Sequence, residues 1–186
     1  MKRLLDLLLA LVAAAILFVP CLLVALAVKF TSPGPVLHWS SRVGRDNVLF
    51  RMPKFRSMRI DTPQVATHLL EHPERWLTPI GGFLRRTSLD ELPQLWNIFT
   101  GQMSFVGPRP ALFNQHDLVA LRTERGVQTL VPGLTGWAQV NGRDELPIPA
   151  KVEFDAYYLQ HRSLLFDLRI LAMTARKVLG GHGVSH

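Results

Sequence analysis

Cysteine is nearly missing from this chain: Cys21 is the single one among 186 residues, and it lies inside an apolar run. Without a partner it excludes a disulfide framework, and it excludes a cysteine-rich zinc site as well. Acidic residues are also scarce, 14 against 21 lysines and arginines, which leaves a formal charge of +7. That balance suits nucleic acid, an anionic membrane surface or a phosphorylated substrate. Nucleic acid is disfavoured, because there is no helix-turn-helix, zinc-finger or ribonucleoprotein signature. Nor is there a Walker-type loop, a dinucleotide fingerprint, an HExxH or a GxSxG elbow. The seven histidines are scattered. His68 and His72 stand four apart, but a pair lacking a third ligand is ordinarily surface chemistry and not a metal site. Internal repeats and low-complexity tracts are absent. The length fits one domain with a modest core.

What the chain does have is a long hydrophobic run, LLDLLLALVAAAILFVPCLLVALAV from Leu4 to Val28. About 20 apolar residues suffice to span a bilayer. Three readings compete. Met1-Lys2-Arg3 and the small-x-small Ala25-Leu26-Ala27 have the look of a cleaved signal peptide, yet the run exceeds the roughly 7–15 apolar residues of such segments. A straight spanning helix would carry basic residues on both flanks, Lys2 and Arg3 before it and Lys29, Arg42 and Arg45 after it, so the positive-inside rule sets no orientation. Pro20 offers the third reading, a bent helix that enters the membrane and returns to the same face, with both basic ends against anionic lipid. Residue pattern alone leaves spanning and re-entrant forms evenly matched.

From Thr31 the breaker cluster Thr-Ser-Pro-Gly-Pro marks the exit from this segment. Val36 to Phe50 predicts a strand pair around the turn-rich Gly44-Arg45-Asp46-Asn47. Asp61 to Thr78 predicts a loop with a short helix, Leu92 to Phe99 an apolar helix ending near Gly101, and Ala111 to Arg125 a further helix closed by Gly126. VPGLTGWAQVNGRDELPIP, Val131 to Pro149, is rich in Gly and Pro and predicts an ordered loop that carries binding groups. Val152 to Leu179 shows helical periodicity, with Leu164, Leu165, Leu168, Leu171 and Ala172 on one side and Arg169, Arg176 and Lys177 around the other. Such a helix packs on a core or lies on a membrane surface, and core packing is the default.

The chemistry-bearing stretch is RRTSLDELPQLWN, Arg85 to Asn97. Its adjacent carboxylates, Asp90 and Glu91, admit a bland account: Ser88 with Glu91 three residues later fits a capping box, and acidic residues complement the dipole of a helix start. Pro93 fits that account poorly, being too deep for the first helical position. Basic residues elsewhere recur beside breakers: Lys54 and Arg56 in MPKFRSMR, Arg85 and Arg86 before the acidic pair, Arg109 in GPRP and Arg143 in NGR. Arginines on stiffened loops suit bidentate recognition of phosphate.

Together, KFRSMR (Lys54 to Arg59), RRTSLDELPQLWNIFTGQMSFVGPRP (Arg85 to Pro110), PGLTGWAQVNGR (Pro132 to Arg143) and DAYYLQHRSLLFDLRIL (Asp155 to Leu171) resemble the monotopic phosphoglycosyl transferases. These are bacterial sugar transferases that start glycan assembly on a polyprenyl phosphate, and the resemblance covers nearly the whole chain. It implies transfer of a sugar-1-phosphate from a UDP-sugar to undecaprenyl phosphate, with UMP released and Mg2+ as cofactor. It places the catalytic dyad on Asp90 and Glu91, with Asp90 as covalent nucleophile and Glu91 assisting with metal and charge; both are expected Mg2+ ligands. Lys54, Arg85, Arg109, Pro110 and Arg143 are the expected substrate-binding residues.

The resemblance also favours the re-entrant topology. The expected fold is α+β, mainly α: a proline-broken re-entrant membrane helix over 1–30, then a small cytosolic catalytic domain over 31–186 with a short β hairpin and surface amphipathic helices. The expected site is the cytoplasmic face of a bacterial inner membrane, at the first membrane step of O-antigen, capsule, exopolysaccharide or glycoprotein synthesis. Membrane lipids are then partners, and downstream glycosyltransferases take up the product. Two departures from the family pattern stand out: Val19 precedes Pro20 where serine is frequent, and Gln102 replaces a common acidic residue. The chain resembles a minimal form without the extra spanning helices of larger relatives. The loop from Asp61 to Trp76 is the expected sugar selector, an N-acetylated or deoxyamino sugar being the first expectation and a plain hexose the second. The competing functional readings are a membrane-tethered basic module that binds phosphorylated ligands without turnover, and an exported protein cleaved near Ala27.

Overall fold

A computed structural model describes residues 1–63, 70, 72–142 and 146–179. Helix α1 (Lys2–Thr31) runs through Pro20 as one element, so the expected break at that proline does not interrupt helical structure. Proline removes one donor from the ladder, a loss that a long helix bears locally. The buried residues of α1 are Asp6, Ala10, Val24 and Val28. Asp6 to Val24 and Ala10 to Val28 are each eighteen residues, five whole turns at 3.6 residues per turn, so all four share one face. Between them Leu11, Val12, Ile16, Phe18, Val19, Leu22 and Leu23 are each more than half exposed. The helix is thus held at both ends and bare in the middle, and it is long and apolar enough to cross a membrane.

Each end packs on its own cluster. Ala10 sits among Phe50, Met52, Ile98 and Met103, while Val24 and Val28 meet Phe55 and Leu84. Polar ties reinforce both contacts. At the N-terminal end Asp6 accepts hydrogen bonds from Ser104 Oγ (2.9 Å) and Phe105 N (3.1 Å), Lys2 Nζ pairs with Asp167 Oδ2 at 2.7 Å, and Arg3 donates to the carbonyls of Ile98 and Phe99. At the C-terminal end the buried Arg56 guanidinium donates to the carbonyls of Pro33 (2.6 Å) and Ser32 (2.9 Å).

Strands β1 (Leu37–Val43) and β2 (Leu49–Phe55) form the antiparallel hairpin. Its turn holds Asp46 and Asn47 at φ +55° and +60°, a left-handed conformation that Asp and Asn tolerate better than most residues. The hairpin was expected to end at Phe50. It continues to Phe55 because Phe50, Met52 and Phe55 all bury against the rest of the chain, which makes Lys54 a strand residue and not a loop residue. A second, parallel pair joins β3 (Ser104–Val106) to β4 (Gly133–Thr135).

That second pair corrects the reading of Val131 to Pro149 as irregular. The segment contains β4 and helix α5 (Trp137–Asn141). Its glycines serve close approach: a Cβ on Gly133 would stand 2.1 Å from Gly107 N, and one on Gly136 would stand 2.1 Å from Gly107 O. The remaining helices are α2 (Gly81–Arg86), α3 (Leu95–Thr100), α4 (His116–Glu124), α6 (Ile148–His161) and α7 (Leu164–Leu179). Helix α3 ends as expected at Gly101, whose φ is +83°. The helix expected from Ala111 begins only at His116. The single period read over Val152 to Leu179 belongs to two helices, since Ser163 starts α7 by accepting from Phe166 N at 3.2 Å. The core of this half gathers Val106, Val127, Leu130, Val140, Ala156, Tyr158 and Ile170.

Candidate active site

Asp90 and Glu91 lie on a 3-10 turn, Leu89–Gln94, and the capping box expected there does not form: Ser88 makes no side-chain cap. Ser88 instead takes φ +56°, a left-handed conformation that costs a non-glycine residue about 1 kcal/mol or more and separates α2 from the turn that carries the dyad. The tight i to i+3 pattern of the turn accommodates Pro93, and α-helix resumes at Leu95.

The two carboxylates then go separate ways. Glu91 Oε1 receives Lys54 Nζ at 2.7 Å from β2 and Arg109 Nη2 at 3.0 Å from the segment after β3. Asp90 Oδ2 is 3.8 Å from Lys54 Nζ, beyond hydrogen-bonding distance, and its side chain is 8% exposed. Arg85, at the end of α2, lies near enough to feel both charges. Burial alone would raise the Glu91 carboxyl, but Lys54 and Arg109 outweigh it and hold the group well below the usual range. For Asp90 the balance is reversed. Burial, reinforced by the charge of Glu91, pushes its carboxyl up despite Lys54, Arg85 and Arg109. Glu91 is an anion held between two cations, and Asp90 is a desolvated carboxylate.

The five expected substrate-binding residues therefore divide. Lys54, Arg85 and Arg109 converge on the dyad from three separate elements. Pro110 is buried, and its carbonyl accepts from Arg42 Nη1 at 3.3 Å, so it shapes the backbone. Arg143 lies outside the described residues, as do His68 and part of the expected sugar-selecting loop, residues 64–69 and 71. Gln102 uses its Oε1 as an acceptor for Asn97 Nδ2 at 2.8 Å, a role a carboxylate oxygen would fill equally.

For Mg2+, no group of three or more His, Cys, Asp or Glu side chains is gathered among the described residues. Mg2+ bound with a nucleotide does not need one, since it takes one or two carboxylates and completes its shell with water and phosphate oxygens. Asp90 and Glu91, adjacent and with Asp90 outside hydrogen-bonding distance of Lys54, fit that donor set.

Sequence reading missed several supports of this site. His38 is the cross-strand partner of Lys54. Arg122 and Asp155 form a buried pair behind Arg109. Asp6 was the most legible of these, because a lone carboxylate in an apolar run requires a partner.

The family model described as bacterial sugar transferase matches residues 1–181. The UDP-glucose:undecaprenyl-phosphate glucose-1-phosphate transferase of Xanthomonas campestris pv. campestris is 41% identical, over 96% of this chain and 39% of the relative. The protein of the same name from Escherichia coli (strain K12) is 40% identical, over 95% and 40% respectively. The UDP-N-acetylgalactosamine-undecaprenyl-phosphate N-acetylgalactosaminephosphotransferase of Aeromonas hydrophila is 37% identical, over 98% and 44%. The chain spans about two fifths of the length of these relatives.

Proposed function

The chain belongs to the bacterial sugar transferase family, and from that premise we propose that it moves a sugar-1-phosphate from a UDP-sugar to undecaprenyl phosphate, releasing UMP. The observation that carries this reading is the unequal dyad: Glu91 in hydrogen-bonded ion pairs with Lys54 and Arg109, and Asp90 buried beside it with Lys54 Nζ at 3.8 Å, outside hydrogen-bonding distance.

In the first step an Asp90 carboxylate oxygen bonds to the sugar-bearing phosphorus while the bond from that phosphorus to the bridging oxygen breaks, so UMP leaves with the electron pair. In the second, an oxygen of the lipid phosphate bonds to the same phosphorus and the Asp90 oxygen leaves. The product is the lipid diphosphate-sugar, and the carboxylate is restored. Lys54, Arg85 and Arg109 take the phosphate oxygens, where their charge offsets that of two polyanions brought together. Mg2+, when held by Asp90 and Glu91, would supply further charge neutralisation on the diphosphate. Arg143, outside the described residues, is a further candidate for the nucleotide or sugar on its sequence context alone.

The re-entrant placement of α1 belongs to the same proposal. Its support is that Lys2, Arg3 and Asp6 at one end, and Ser32 at the other, are tied to the same globular part. A straight spanning helix would carry one of those ends about 30 Å away across the hydrocarbon. The proposed location is the cytoplasmic face of the inner membrane.

The test is UMP release from a panel of UDP-sugars with undecaprenyl phosphate and Mg2+. The panel is led by UDP-glucose and UDP-N-acetylgalactosamine, since relatives are named for both classes of sugar. Release that requires the lipid is the expected result. Binding of the donors without release under any combination would leave the tethered binding module in its place.

A further inference from the structure

Gly107 to Ala111 is a strap that carries Arg109 to Glu91. Pro108 and Pro110 have no N–H, so the centre of the strap cannot join a regular ladder and is anchored largely through its carbonyls. Gly133 N donates to Pro108 O at 2.9 Å, Arg42 Nη1 to Pro110 O at 3.3 Å and Val43 N to Ala111 O at 2.9 Å. The carbonyl of Arg109 itself is taken by a side chain, Arg122 Nη1 of α4, at 2.8 Å.

Arg122 is in turn fixed. Its Nε and Nη2 both reach Asp155 Oδ2 of α6, at 3.0 and 2.6 Å, and Arg122 and Asp155 are 8% and 1% exposed. A buried ion pair is weak evidence for stability, since hydrophobic residues of similar volume often serve as well. This one also has a guanidinium whose third face is spent on the backbone of an active-site residue. We infer that Arg122 and Asp155 are positioning residues for the transfer reaction, fixing the strap so that the Arg109 guanidinium is presented to Glu91 and to the donor diphosphate.

This rests on the phosphosugar-transfer reading, and it adds a pair that touches neither substrate nor dyad. Lysine at position 122 keeps a cation beside Asp155 but cannot span Asp155 and the Arg109 carbonyl with one planar fork.

The experiment uses the full chain in membrane or detergent, with the UDP-sugar that gives lipid-dependent UMP release. Arg122→Lys should fold and should lower kcat/KM for that donor about tenfold; combined with Arg109→Lys, the loss should be clearly smaller than the product of the two single losses, as coupled residues show. A combined loss equal to that product would mean that Arg122 does not act through Arg109, and full activity in a folded Arg122→Lys protein would dispose of the idea outright. A second variant, Arg122→Met with Asp155→Leu, removes both charges together so that neither is stranded. It should approach the wild-type melting temperature without recovering turnover; recovery of both would reduce the pair to packing. Failure of the wild-type chain to release UMP from any UDP-sugar would remove the reading on which this rests, an outcome distinct from normal turnover without coupling.

Discussion

Asp90 and Glu91 are chemically similar and adjacent, yet their surroundings drive them apart, as expected when one carboxylate is to react and the other to organise charge. The consequences for pH have opposite signs. The Glu91 carboxyl is held low in the folded chain, so its contribution to stability is fully present above the ordinary glutamate range and is lost as pH falls through its folded value. The Asp90 carboxyl is raised, so its ionised form is disfavoured by folding at neutral pH, and that penalty is relieved as pH falls through the raised value. A nucleophile must be ionised. The acid limb of kcat/KM should therefore have a midpoint above the ordinary aspartate value of about 3.9, and activity flat to below that value would separate Asp90 from the reaction. Asp90→Asn should abolish turnover while leaving the melting temperature equal to or above wild type, because the amide removes a buried charge and is a very poor nucleophile at phosphorus. A helix-start residue would behave the other way, losing about 1 kcal/mol of stability and keeping activity.

Among the elements, the strap and the β3–β4 pair position Arg109, and here glycine matters most. A Cβ on Gly107 would stand 2.4 Å from Val131 O and 2.9 Å from Gly133 N, both backbone atoms that no rotamer change can move aside. Gly107→Ala should accordingly cost about 1–3 kcal/mol of stability in thermal unfolding and depress turnover further by shifting Arg109. An alanine variant with wild-type stability and rate would show that the close backbone crossing is dispensable. The same elements mark the limit of what sequence could tell. The apolar helix, the hairpin and α3 with its Gly101 stop were legible because periodicity and turn residues are local signals, whereas the dyad block stood out only through its resemblance to a family. Strands β3 and β4 were not, being three residues each and stabilised by a partner about thirty positions away. The same glycines that signalled an irregular loop permit the close pairing. Ser88 misled for a related reason: the spacing to Glu91 satisfied a local rule, and Lys54 and Arg109, distant in sequence, claimed the Glu91 side chain instead.

At the scale of the whole molecule, α1, the long apolar helix, is tied to the segments around the dyad. Its C-terminal end is clamped by Arg56, two residues after Lys54, and its N-terminal end by Ser104 and Phe105, on the strand that leads to Arg109. The helix thus docks beside the segments that carry Lys54 and Arg109, two of the three cations at the dyad. Cysteines placed singly at Lys2 and Ser40 in a Cys21→Ala background should both resist a membrane-impermeant thiol reagent in intact cells, and both should react after permeabilisation. Labelling of one end alone before permeabilisation would establish a spanning helix and refute the re-entrant placement.

On the proposed mechanism Asp90 itself becomes bonded to the phosphosugar. Wild-type chain mixed with its UDP-sugar and Mg2+, without lipid acceptor, should gain the mass of a phosphosugar on the peptide containing Asp90 and release UMP in matching amount, and Asp90→Asn should do neither. Mass spectrometry of the quenched protein reads this directly. A chain that never carries the adduct, with kinetics that require donor and lipid bound together, would rule out the covalent route and leave Asp90 as a metal ligand for direct transfer.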